Sequence, residues 1–136
     1  RVFGRLIGIC IFAAAGGRTV GVTDAIVTAG LPADVWHTFG GDAVANDDSG
    51  LGRRREGAIA GAGVVLDAGV RRRIAAGLDP AAVLASCSEV AARSLGRRDI
   101  GHLAPSALAD LVWWDASWQP RRVWMGGIDR PTAARA

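Results

Sequence analysis

Three short stretches carry side chains or backbone able to do chemistry. The first is Val22-Thr23-Asp24, which closes a β-branched, mostly apolar run over residues 18–23. Residues 18–23 read as a short strand, and Asp24 sits at its C-terminal end. Ligands gather at that end of the strands in parallel α/β folds. A carboxylate there can take a proton from an attacking water and return it to a leaving group; it can equally serve as a cap or turn residue. The second stretch is Ile59-Ala60-Gly61 within the glycine-rich run 58–63, which leads into a helix. Backbone N–H groups running into a helix N-terminus suit an anion, although short glycine pairs are common in a chain this rich in glycine. The third group is scattered. Cys10 and Cys87 form no CxxC pair and lie far apart, which points away from a disulfide framework. Cys87 falls on an apolar helical stripe and reads as core. His37 and His102 read as surface or packing residues rather than ligands.

The elements that must position these residues follow from composition and spacing. The chain has 136 residues, half of them hydrophobic, with mean hydropathy +0.23. One domain of this length can bury a core without metal or disulfide, and the hydrophobic content excludes a disordered chain. The 16 basic residues are all arginine and the 13 acidic ones almost all aspartate, giving a net charge of +3 and a pI near 10. Arginine without lysine raises the pI by itself, and a GC-rich coding sequence favours arginine, alanine and glycine alike. The arginines fall in separate clusters (53–55, 71–73, 97–98 and 121–122) rather than one aromatic-interleaved stripe. Solvated faces, and no nucleic-acid partner, are the expectation.

Residues 6–12 are apolar behind Arg1 and Arg5, and small residues follow, as in a secretory signal. The run is too short to span a membrane. The reading adopted is a buried helix over residues 1–15, stopped by Gly16-Gly17. Residues 30–57 are turn-rich and charged, fitting a long loop or a small hairpin packed down by Trp36 and Phe39. Leu66, Val70 and Ile74 recur on one face of a helix over 64–76, which Gly77 ends. Asp79 caps a second helix with Pro80 as its first residue, running to Leu95 with a Glu89–Arg93 pair and Gly96 as its stop. Strands over 109–115 and 121–127, joined through Ser117-Trp118-Gln119-Pro120, read as antiparallel, with a frayed tail beyond Ile128. A first residue of Arg1 leading straight into patterned sequence suggests a fragment of a longer chain or a processed chain.

Several of these segments, in this order, resemble the C-terminal third of N-acetylglucosamine-6-phosphate deacetylases of the amidohydrolase superfamily. Val22-Thr23-Asp24-Ala25 with Ala29-Gly30-Leu31-Pro32 resembles the family's VTDA…AGLP at the eighth barrel strand. Ile59-Ala60-Gly61 resembles its IAG segment before a helix, and residues 77–96 its GL…NPAR.LG helix. Gly101-His102-Leu103-Ala104-Pro105 through Ala109-Asp110-Leu111-Val112 resembles the G.LAPG..ADLV signature found across the superfamily. The chain departs from the pattern at Ala62, where serine is usual, at Ser88-Glu89-Val90-Ala91-Ala92-Arg93 in place of NPAR, and at Ser106, where glycine is usual.

The resemblance implies an α/β fold: the C-terminal part of a metal-dependent hydrolase (β/α)8 barrel over residues 1–100, strands of the accompanying small β-sandwich over 101–128, and a frayed tail over 129–136. It implies that Asp24 is the proton-shuttling aspartate and that Ile59, Ala60 and Gly61 contact an amino-sugar phosphate substrate. It implies a divalent metal of the zinc or iron class in the full-length enzyme, with the glutamate and two histidines that hold it upstream of this stretch. No metal ligand is expected here, and the isolated chain is expected to bind none and to be inactive. A cytoplasmic homodimer with no membrane partner completes the expectation. The competing readings are a dihydroorotase-like or cytosine-deaminase-like amidohydrolase, and a non-catalytic binding module using the arginine clusters and the β tail.

Overall fold

In the computed structural model, residues 12 and 14–131 are described. Cys10 and most of the helix expected over 1–15 fall outside them. The chain divides into two compact units, one formed by Val22–Gly69 and the other by the residues up to Gly21 together with those from Val70 onward. No helix among the described residues is long and apolar enough to cross a membrane.

The unit Val22–Gly69 is built on an antiparallel meander of four strands, β1 (His37–Phe39), β2 (Asp42–Asn46), β3 (Leu51–Arg54) and β4 (Ile59–Ala62), in sheet order β1-β2-β3-β4. The stretch expected as a loop or small hairpin is therefore a sheet. Gly40 and Gly41 close the first hairpin, both with positive φ (60° and 90°). That is the two-residue turn whose twist matches its strands, and it favours glycine at both positions. The core under the sheet is small and centres on Val44 and Ala45 of β2. Trp36 and Phe39 do not pack it down as expected. Both are exposed, and the Arg55 guanidinium lies 4.6 Å from the centroid of the Trp36 ring.

The second hairpin turns on Asp47. Its carboxylate accepts hydrogen bonds from the Ser49 hydroxyl (2.5 Å), the N–H groups of Ser49 and Leu51 (2.9 and 3.1 Å) and Arg53 Nε (2.6 Å). The same device recurs in the other unit. Asp115 accepts from the N–H groups of Ser117 and Gln119 (both 2.9 Å) and from Arg121 Nε (2.7 Å). In each case the partners lie two, four and six residues on, so one carboxylate fixes both the turn and the first arginine of the returning strand. The bond from the Ser49 hydroxyl, then that from Arg53, hold the Asp47 carboxyl well below the usual carboxylate range. The unfolded carboxyl titrates near 3.9, so the clasp contributes its full stability at neutral pH and loses it as pH falls through the lower folded value. Asp47→Asn is accordingly expected to lower the unfolding midpoint at pH 7 and to have a smaller effect at pH 2. An equal loss at both pH values in thermal melts would remove the ionic part of this account.

The other unit holds the helical residues from Val70 and a three-stranded sheet. Helix α1 (Leu66–Ala75) begins in the first unit and ends in the second. Gly77 follows it at φ 91°, as expected of a C-terminal stop. Asp79 caps the next helix, its Oδ2 accepting from the Ala82 N–H at 2.8 Å, with Pro80 in the first position. The single helix expected to Leu95 is two: α2 (Pro80–Cys87) and α3 (Glu89–Ser94), broken at Ser88 (φ −130°, ψ −89°). The Ser88 hydroxyl donates back to the Leu84 carbonyl at 2.8 Å, a bond that bends helices. Gly101 fits against the break, where a methyl group would come within 2.8 Å of the Glu89 backbone. Arg93 pairs with Glu89 at 2.6 Å as predicted.

Strands β5 (Leu111–Trp114), β6 (Pro120–Met125) and β7 (Ile128–Arg130) form an antiparallel sheet in chain order. The tail expected to be frayed from residue 129 is thus strand as far as Arg130, and its residues from 132 onward lie outside those described. Gly126 and Gly127 turn the chain back, and the Arg122 guanidinium meets the Asp129 carboxylate across the hairpin at 2.5 Å. That pair gives the third strand a register. Ser106 stands at φ 71°, in the left-handed region that favours glycine, which is the residue usual in the resembled signature. Ser106→Gly is expected to raise stability by about 1 kcal/mol through relief of that backbone. Urea unfolding of the two proteins side by side checks it, and a loss of stability would mean that the serine makes a contact outweighing the strain.

Candidate functional site

The site is assembled within the unit Val22–Gly69. The run expected as a strand, 18–23, joins no regular ladder. Its continuation pairs in parallel at a single bridge, Ala25 with Ala62 at the end of β4. The Ala62 N–H donates to the Asp24 carbonyl (2.8 Å) and the Ile26 N–H to the Ala62 carbonyl (3.1 Å). Asp24 is thereby fixed by its backbone to the strand that carries Ile59-Ala60-Gly61. Both contacts use the backbone of Ala62, so alanine in place of the usual serine keeps this tie intact.

Asp24 has φ 54°. Aspartate tolerates this region better than most residues, but it is uncommon there, and held backbone of this kind clusters at functional sites. The side chain is exposed. Gly61 is buried beside it at φ 151°. A methyl group there would stand 3.7 Å from Asp24 Oδ2 and 2.8 Å from the Asp24 carbonyl oxygen. Of the predicted substrate-binding residues, Gly61 therefore adjoins the carboxylate, Ala60 is half-buried, and Ile59 points largely to solvent at 64% exposure.

The loop after Asp24 is held by a residue that sequence reasoning missed. Asn46, 4% exposed at the end of β2, donates through Nδ2 to the carbonyls of Thr28 (2.7 Å) and Leu31 (2.9 Å). Its backbone carbonyl accepts from the Asp34 N–H at 3.0 Å. The available signal was an asparagine closing an apolar run, which reads equally well as the start of a turn.

A divalent metal fits poorly to the described residues alone. They contain no group of three or more His, Cys, Asp or Glu side chains that could hold an ion. His37 lies in β1 opposite Val44, and His102 Nδ1 contacts the Ile100 carbonyl at 3.2 Å. Asp24 is the one member of the predicted site that is a strong oxygen donor, and a single carboxylate does not make a zinc or iron centre.

The class defined so far is a mixed α/β chain with an aspartate beside a glycine-bearing strand end, and sequence comparison makes it specific. Residues 13–133 match the model of the amidohydrolase family, and the chain belongs to that family. Three solved structures similar to it are N-acetylglucosamine-6-phosphate deacetylases. The enzyme from Thermotoga maritima superposes with a TM-score of 0.83 at 25% identity, covering 92% of this chain and 34% of that one. The enzyme from Pasteurella multocida gives 0.80 at 21%, covering 90% and 33%, a likeness of fold. An aspartate-to-alanine variant from Mycobacterium smegmatis, in complex with N-acetyl-D-glucosamine-6-phosphate, gives 0.76 at 25%, covering 92% and 34%. The chain spans about a third of the length of each. No curated protein matches it significantly.

Proposed function

We propose that this stretch is the C-terminal third of a metal-dependent amide hydrolase that converts N-acetylglucosamine 6-phosphate to glucosamine 6-phosphate and acetate. The observation that carries the reading is the pairing of Asp24 with Gly61 through the Ala25–Ala62 bridge, because it joins the two segments whose resemblance points to the deacetylases. Residues up to about 100 contribute to a (β/α)8 barrel and the strands from 101 to the small β-sandwich beside it. The metal, of zinc or iron class, is held by residues outside this stretch, and when bound it supplies Lewis acidity. Asp24 Oδ2 accepts the proton of the attacking water and passes it to the departing amine. The backbone of Ile59, Ala60 and Gly61 orients the sugar phosphate. The exposed apolar residues Val22, Val27 and Ile59 in one unit, and Leu103, Val112 and Trp113 in the other, support a stretch that other parts of a longer enzyme cover. The enzyme is proposed to be a cytoplasmic homodimer.

The test is a substrate panel on the full-length enzyme, with acetate and amine release both measured. N-acetylglucosamine 6-phosphate is the expected substrate, and the 136-residue stretch by itself is expected to release neither product. Turnover of a dihydropyrimidine or an aminopyrimidine in preference to the amino sugar would move the assignment elsewhere in the family.

A further inference from the structure

The segment that carries Asp24 lies across a row of three residues with unusual side-chain economy. Asn46, Gly52 and Gly61 face one another directly across β2, β3 and β4. Directly opposed residues share one face of a sheet, so the row leaves a trough where two neighbouring strands carry no side chain. Ile26 fills it. A methyl group on Gly52 would overlap Ile26 Cδ1, and one on Gly61 would come within 2.6 Å of Ile26 Cγ2. At the Asn46 end the amide grips the carbonyls of Thr28 and Leu31, and at the Gly61 end the Ala62 backbone brackets Ala25, bonding the Asp24 carbonyl on one side and the Ile26 N–H on the other. Ile26 lies two residues from Asp24, so any atom that lifts Ile26 out of the trough moves the carboxylate.

We propose that this trough is the positioning device for Asp24, with Ile26 as its plug and Gly52, Gly61 and Asn46 as its walls. The proposal rests on the reading of Asp24 as the proton-shuttling residue. Ile26, Gly52 and Asn46 act through Asp24 and touch no reacting atom. Misplacement of a reacting group by about 1 Å can cost on the order of 100-fold in rate, while binding of the remote parts of the substrate is unaffected.

The test is a compensation experiment in the full-length enzyme. Gly52→Ala inserts a methyl group where Ile26 Cδ1 lies, and Ile26→Val removes that Cδ1. Gly52→Ala is expected to lower kcat by about 10- to 100-fold, with KM changed less than about twofold and with faster amide exchange over residues 24–34. The double variant is expected to recover most of kcat and of the exchange protection. A merely structural role would lower stability in Gly52→Ala and restore it in the double variant without moving kcat. Ile26→Ala, which empties the trough without adding an atom, serves if Gly52→Ala does not fold, and its expected result is the same loss of kcat at unchanged KM. Unchanged kcat in either folded variant, or a loss that the double variant does not recover, overturns the proposal. The underlying reading fails separately, by full turnover in Asp24→Asn. In that event Gly52→Ala still loosens residues 24–34 but leaves kcat alone.

Discussion

Asp24→Asn in the full-length enzyme is expected to lower kcat for N-acetylglucosamine 6-phosphate by about 10²- to 10⁴-fold, the usual contribution of a positioned acid–base group. Asparagine is the informative replacement for a structural reason. Asp24 sits at φ 54°, and asparagine is one of the few residues that share aspartate's tolerance of that region. The backbone bonds from Asp24 and Ile26 to Ala62 are untouched by the change. What is lost is the ability to accept a proton, so metal content and KM should hold while kcat falls. Asp24→Gly separates the two roles of the position. It removes the carboxylate and also the left-handed strain, so it should be as inactive as the asparagine variant yet more stable by about 0.5–1 kcal/mol. Asp34, at φ 59° in the same unit, is the control, since nothing places its carboxylate beside Gly61. Retained turnover in Asp24→Asn, with metal bound and the fold intact, would exclude the proton-shuttle role.

What could be read from the sequence was what is local. The Asp79 cap, the Pro80 start, the Glu89–Arg93 pair and the antiparallel pairing of the tail strands each depend on residues within a few positions of one another, and each is present. The four-stranded meander was not legible, because its strands are three to five residues long and carry Gly52, Arg53 and Arg54 where an alternating apolar pattern would have marked them. The run 18–23 shows the opposite failure. Its β-branched composition is that of a strand, but a strand is a property of a ladder, and the run itself joins none. At the site, Asp24 and Gly61 were legible through the motifs they belong to. Their adjacency was not, since they lie 37 positions apart. Gly52 left no signal, because in a chain with 19 glycines one more glycine reads as compositional bias, and Asn46 left only an asparagine that reads equally well as the start of a turn. Only the register of three strands turns that glycine into a seat for Ile26.

The same register makes Gly63→Ala the substitution with the largest expected effect on stability. A methyl group there would overlap the Asn46 side-chain amide, and neither partner can retreat. The Gly63 N–H donates to the Gly50 carbonyl and its carbonyl accepts from the Gly30 N–H, both at 3.0 Å. Asn46 is buried, with Nδ2 committed to two carbonyls. Displacing it costs the overpacking strain and also leaves buried carbonyls unpaired, together about 3 kcal/mol. Gly69→Ala is the matched control. It makes the same chemical change in the interior of α1, where nothing lies within 4 Å, and there alanine should add about 0.5–1 kcal/mol of stability. Opposite signs from one added methyl group are a demanding result to obtain by accident. A third variant locates the cause. Asn46→Ala vacates the space that the new methyl needs, so the cost of Gly63→Ala should shrink in the Asn46→Ala background, giving a coupling of about 1–2 kcal/mol in a double-mutant cycle. If urea unfolding shows Gly63→Ala to be neutral, or its cost to be independent of Asn46, then Asn46 does not press against Gly63.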